Sequence, residues 1–145
     1  MIPEFVDSDG PWNMLPPGIH DATLDEIEQR FATNDTRKRL YQGFREGVEA
    51  LRKAGCRVVY LDGSFVSEKE HPGDFDACWE FVGVDVEILD PVLLDFTHRR
   101  ISQKLKYGGE FFPADFLADG NLNYKKYFQL DKDTGKGKGI IRIKI

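Results

Sequence analysis

The segment between residues 56 and 81 constrains the fold of this chain more than any other. Cys56 to Leu61 (C-R-V-V-Y-L) is a β-branched run that reads as a buried strand. It breaks off at Asp62-Gly63-Ser64. After a spacer of nine residues comes Asp74-Phe75-Asp76, at the head of an alternating run, Phe75 to Phe81 (F-D-A-C-W-E-F), that reads as a second, neighbouring strand. His71-Pro72-Gly73 supplies the turn. Asp74 and Asp76 are two apart, so on a strand both carboxylates point to one face, while Phe75 and Ala77 point into the core. Such a segment specifies a sheet with two acids at one strand end.

The remaining elements follow from capping and periodicity. Residues 1–20 read as an extended lead-in, because Pro3, Pro11, Pro16 and Pro17 prevent helix. Thr23 and Glu26 form a capping box that opens a helix from Leu24 to about Phe31. A longer helix runs from about Arg37 to Lys53, capped by Asn34-Asp35-Thr36, with Leu40, Phe44, Val48 and Leu51 as its apolar stripe. Ala54-Gly55 closes it. Asp90-Pro91 opens a short helix to Phe96, and Arg99 to Lys106 reads as helical. Gly108-Gly109 breaks the chain before a third strand, Glu110 to Phe112. Asn123 to Leu130 is helical or irregular, Asp131 to Gly139 is a turn, and Ile140 to Ile145 alternates as a last strand. The pattern is α/β (α+β): a short mixed sheet with helices packed on it, and a single domain over residues 21–145.

Composition excludes several classes. With 145 residues, 41% hydrophobic and 31% charged, the chain can bury a core and is not of disordered type. No apolar run approaches the ~20 residues of a membrane span, and the acidic, Pro/Gly-rich start has no secretory pattern. Cys56 and Cys78 are the only cysteines and are expected to be buried thiols in a cytoplasmic protein. The net charge of -5 is unevenly spread. Residues 121–145 hold seven cations against Asp131 and Asp133, which leaves +5 there and -10 elsewhere. His98, Arg99, Arg100, Lys104 and Lys106 form a second basic cluster. Basic surface near an acidic site suits a polyanion, and an ordinary solvated face gives the same pattern.

The Leu61-Asp62-Gly63-Ser64 run and the Asp74-Phe75-Asp76 strand resemble the active-site signature of the polymerase-β-like nucleotidyltransferase superfamily. Further runs (Asp-Gly-Ser-Phe-Val, Leu-Leu-Asp-Phe, Gly-Gly-Glu-Phe-Phe-Pro-Ala and a closing Lys-Gly-Ile) resemble a small bacterial or phage branch with a minimal core. The resemblance implies Mg²⁺-dependent transfer of a nucleotidyl group from an NTP to an acceptor, which is a protein, a nucleic acid or a small molecule. It implies a two-metal site on Asp74 and Asp76, with Gly63 and Ser64 holding the triphosphate. Relatives with so compact a core include antibiotic-modifying enzymes and the nucleotidyltransferase partners of toxin–antitoxin systems; a toxin–antitoxin or phage-defence setting fits. The chemistry agrees with local spacing, since two metals need carboxylates close together and Mg²⁺ takes oxygen ligands.

Three departures from that signature stand out. Asp62 occupies a position that is ordinarily apolar. The spacer carries Glu68, Lys69, Glu70 and His71 in place of small polar residues. The third carboxylate is not marked: Glu110 is the first choice, since it starts an apolar strand, with Asp95 and Asp115 behind it. Lys69 and Lys104 are candidates for phosphate contacts. Two other functions compete: a catalytically silent nucleotidyltransferase-like module acting with a protein partner, and a nucleic-acid-binding protein using its basic C-terminus. Thr134 to Gly139 lacks phosphate-loop spacing, Asp131-Lys132-Asp133 lacks the rest of a calcium loop, and His20, His71 and His98 have no metal-ligand spacing. Trp79, Phe81, Phe111 and Phe112 read as core.

Overall fold

A computed structural model describes all 145 residues, Met1–Ile145. Its centre is a five-stranded mixed sheet in the order β1-β7-β2-β3-β4. The strands are β1 (Gly18–Asp21), β2 (Val58–Asp62), β3 (Asp76–Trp79), β4 (Glu110–Pro113) and β7 (Gly139–Lys144). β2 runs antiparallel to both β3 and β7, whereas β1 is parallel to β7 and β4 is parallel to β3. The parallel β3–β4 pair needs a crossover. The chain between supplies it with a 3-10 turn, Pro91–Leu94, and α3 (Thr97–Tyr107). A separate two-stranded hairpin joins β5 (Leu117–Asp119) to β6 (Leu122–Asn123).

The mixed sheet with helices on it is the architecture expected from the sequence. α1 (Leu24–Phe31) carries the full Thr23–Glu26 capping box. α2 (Asp35–Lys53) is capped by the Asn34 side chain and buries Leu40, Phe44, Val48 and Leu51. These helices cover one sheet face, where Val59, Leu61, Ala77, Trp79, Phe111, Ile141 and Ile143 join them in the main core. The opposite face carries a smaller cluster of Tyr60, Cys78, Phe112, Ala114, Phe128 and Ile140. The two faces alternate along β2 and β3 with period two. α4 (Tyr124–Tyr127) is a single turn capped by Asn123. Both cysteines are free and buried. No helix is long and apolar enough to cross a membrane.

Three elements differ from expectation. The lead-in over residues 1–20 ends in β1, which begins at Gly18 and completes the sheet edge; upstream of it, Ile2 and Leu15 are buried in the main core. The β5–β6 hairpin turns at Gly120, and its strands of three and two residues are too short to show alternation. Arg99 to Lys106 is a right-handed helix only beyond Arg100, because His98, Arg99 and Arg100 have φ of 50°, 56° and 60°. Three consecutive left-handed residues with side chains cost about 1–2 kcal/mol each. Arg100 gains contacts in return: its Nε donates to Glu110 Oε2 at 2.8 Å, and its guanidinium lies 5.3 Å from the Phe112 ring centre.

Candidate metal centre

Strand register builds the site. Asp62 on β2 is the antiparallel partner of Asp76 on β3, and Asp76 is the parallel partner of Glu110 on β4. Cross-strand partners share a face. The three acids therefore form one row across three strands, on the face that holds Tyr60, Cys78 and Phe112. Asp74 joins the row from just before β3. One carboxylate oxygen from each of Asp74, Asp76 and Glu110 lies within 4.8 Å of the other two. The structure thus brings Glu110, the first choice for third carboxylate, beside the pair. Asp95 instead accepts from the Thr97 amide and hydroxyl, and Asp115 is exposed beyond the end of β4.

Four acids in one row repel, and partial burial leaves little water to screen them. Burial pushes the Asp76 carboxyl up to about 7, and the charges of Asp62, Asp74 and Glu110 add to that rise. Burial, then Glu110, raises Asp74, with Lys104 opposing. Burial also raises Asp62, with Lys138 opposing. Glu110 is paired with Arg100 and with Lys104, whose Nζ is 3.1 Å away. Asp62 is 3% exposed and has Lys138 Nζ at 3.0 Å from Oδ1. That contact lacks hydrogen-bond alignment, so Oδ1 has a charge partner and no donor. Asp74 and Asp76 have neither an ion-pair partner nor a hydrogen-bond donor. Two close carboxylates without cations form an oxygen donor set for a hard divalent ion.

Gly63 and Ser64 stand beside this row. Gly63 has φ of 90°, and a Cβ there would come within 3.0 Å of the Asp76 amide nitrogen and 3.3 Å of Asp76 Oδ2. Only glycine gives both the backbone turn and this approach. Ser64–Val66 forms a 3-10 turn, and Ser67 Oγ donates to Ser64 O at 2.6 Å. The spacer is held from below by Arg37, which is 4% exposed. Its Nη1 donates to Phe31 O and Phe65 O, and its Nη2 to Ser67 O and Lys69 O. Nothing in the sequence marks Arg37, which falls on the core side of an amphipathic helix where arginine is rare.

A cleft of about 250 Å³ opens over Asp62, Gly63, Ser64, Asp74 and Asp76. It is also lined by Lys132 and Lys138 from the loop before β7, and by Trp12 from the lead-in. Of the residues expected to touch phosphate, Gly63 and Ser64 line this cleft. Lys69 does not line it; its Nζ lies 4.6 Å from the ring centre of Trp12, which does. Lys104 lines a separate groove of about 590 Å³ on the other side of Asp74, with Arg39 and Lys106. Sequence reading singled out neither Lys132 nor Lys138 as a site residue. They came into view only as part of a basic tail, and β7 brings that tail back across the sheet. Three cations of this tail are matched to acids: Lys136 to Asp9, Lys138 to Asp62 and Arg142 to Asp21. The tail therefore presents less free positive charge than its +5 implies.

A model of a family of unknown function (DUF6932) matches residues 4–144, and the chain belongs to that family. No curated protein and no solved structure matches it.

Proposed function

We propose that this family member is a Mg²⁺-dependent nucleotidyltransferase working from the cleft over Asp74 and Asp76. The reading is supported above all by one observation: Asp74, Asp76 and Glu110 converge within 4.8 Å at the strand end faced by Gly63-Ser64. The residues fit the ion, since all three offer carboxylate oxygen and two lack any competing cation. Mg²⁺ held there would polarise the α-phosphate and neutralise the departing pyrophosphate.

The chain's own groups have distinct tasks. Ser64 and the backbone around Gly63 receive the β- and γ-phosphates, and Lys132, which lines the same cleft, offsets their charge. The acceptor oxygen attacks the α-phosphorus, the bond to the β-phosphate oxygen breaks, and pyrophosphate leaves. The acceptor proton passes to a carboxylate of the row. Glu110 is the assigned base, and Arg100 and Lys104 fix its position. The groove beyond Asp74, lined by Arg39 and Lys104, lies on the acceptor side. Such an enzyme works in the cytoplasm, where NTP and Mg²⁺ are supplied, and its acceptor is a protein, a nucleic acid or a small molecule.

Calorimetry with ATP and GTP, with and without Mg²⁺, tests this on the wild type and on Asp74→Ala/Asp76→Ala. Binding that needs both the metal and the aspartates is expected. No nucleotide binding under any condition sinks the proposal. Metal-dependent binding without pyrophosphate release on any acceptor points to the silent module instead.

A further inference from the structure

We propose that Lys138 is a built-in cation of the carboxylate row, so that the site takes one divalent ion where the family resemblance implies two. This rests on the metal reading of the same cleft and goes beyond it to the count of ions. The row holds four carboxylates: Asp62, Asp74, Asp76 and Glu110. The outer two have fixed partners. Glu110 is held by Arg100 and Lys104, and Asp62 by Lys138, whose side chain is only 15% exposed. The inner two, Asp74 and Asp76, carry two negative charges without a cation once both are ionised, which one divalent ion balances.

A pair of catalytic ions ordinarily sits roughly 3.5–4 Å apart and shares bridging carboxylates. Asp62 is the acid on the far side of Asp76 from Glu110, and so the natural anchor for a second ion. Its Oδ1 is already 3.0 Å from an ammonium. A lysine ammonium is a compact point charge with no geometric demand. It can neutralise the buried acid from a fixed chain position without a second ion. Asp62 is 3% exposed, and a buried carboxylate without its cation is strongly destabilising, so the two residues require each other. Lys138 also lines the cleft, where its charge reaches a bound phosphate from the side that a second ion would occupy.

Mn²⁺ titration of the intact chain at pH 8, with free Mn²⁺ followed by electron paramagnetic resonance, decides the matter. Wild type is expected to bind one Mn²⁺ per chain and Lys138→Met two, because Asp62 and Asp76 then form an open second site. Asp62→Asn/Lys138→Met is expected to return to one, and Asp62→Asn alone to keep one. Circular dichroism checks the fold of each variant, and Lys138→Gln replaces Lys138→Met if the latter does not fold. Two ions on the wild type, or one on the folded Lys138 variant, overturn the role of Lys138 and leave the metal reading standing. Loss of the ion in Asp62→Asn makes Asp62 a ligand and also overturns that role. No Mn²⁺ on any form defeats the metal reading and this inference together.

Discussion

Asp76 and Glu110 are register partners on the parallel strands β3 and β4, so two acids that repel are fixed side by side by the backbone. Like charges directly opposite each other destabilise a sheet. Asp62 flanks Asp76 from the other strand, and Asp74 approaches from the turn, which compounds the repulsion. A fold that keeps this row carries a local cost that a divalent cation, if bound there, would relieve.

Asp76→Asn removes the charge at the centre of the row while keeping the shape of the side chain. Without divalent ions at pH 8, the variant is expected to be more stable than wild type by about 1–2 kcal/mol, a rise of several degrees in Tm for a chain of this size. Wild type is expected to gain stability on adding MgCl₂, by roughly 2.7 kcal/mol at a hundredfold excess over Kd, read as a rise in Tm, and Asp76→Asn to gain little. Thermal scans with and without MgCl₂ check both. An equal Mg²⁺ shift in the variant removes Asp76 from the metal site.

The same charge sets a pH dependence. The Asp76 carboxyl is raised from 3.8 to about 7 by burial and by its acidic neighbours. Between these values the folded state binds more protons than the unfolded state, so stability falls as pH rises through the window. The raised Asp62 and Asp74 carboxyls act in the same direction. Urea denaturation of metal-free protein at pH 5, 6, 7 and 8 is expected to show a decline that levels off above pH 7. The stabilisation by Mg²⁺ should grow over the same range, because the ion competes with the proton. Flat or rising metal-free stability across this window contradicts the assignment.

The part of the site that lies within one local segment was legible in the sequence. Gly63 and Ser64 directly follow β2 and Asp74 and Asp76 lie at or just before the start of β3, so turn chemistry and the strand ends decide their geometry, although Asp74 falls outside the strand expected to carry it. Glu110 was legible as an acid opening an apolar strand; its pairing with Asp76 depends on a parallel register that only a crossover sets. Lys138 was hidden for the same reason. Its meeting with Asp62 follows from β7 lying against β2, a long-range antiparallel match that no short window encodes. The left-handed turn at His98-Arg99-Arg100 runs against the preference of every residue in it, so local propensity pointed to ordinary helix. β1 was missed because its four residues, G-I-H-D, pair with β7 at the sheet edge and show no alternation.

Gly47 reverses a simple propensity rule. In the interior of α2, Gly→Ala ordinarily gains up to about 1 kcal/mol. Here a Cβ would stand 2.3 Å from the Phe111 ring. That ring is fully buried and packed on Phe44, Phe75 and Tyr107. Gly47→Ala is therefore expected to destabilise by about 1–3 kcal/mol through overpacking. Chemical denaturation checks the sign, and a stabilised variant would show that the α2–β4 contact is looser than this.

Arg37 ties the core to the site loop. Its guanidinium has no acidic partner and is satisfied by four carbonyls, three of them in the spacer: Phe65, Ser67 and Lys69. Arg37→Met leaves those carbonyls without donors and is expected to cost about 3–5 kcal/mol. Arg37→Lys keeps the charge but has fewer donors in a less fixed geometry, and should lose roughly half as much. The two variants separate a clamp from a core filler. Hydrogen exchange of the Val66, Ser67 and Lys69 amides is expected to accelerate in Arg37→Lys at a temperature where the rest of the sheet stays protected. On the proposed phosphate role of Gly63-Ser64, freeing the spacer should lower nucleotide affinity more than Mg²⁺ affinity. Equal loss of protection in β2, β3 and the spacer would mean that Arg37 supports the fold as a whole and not the loop.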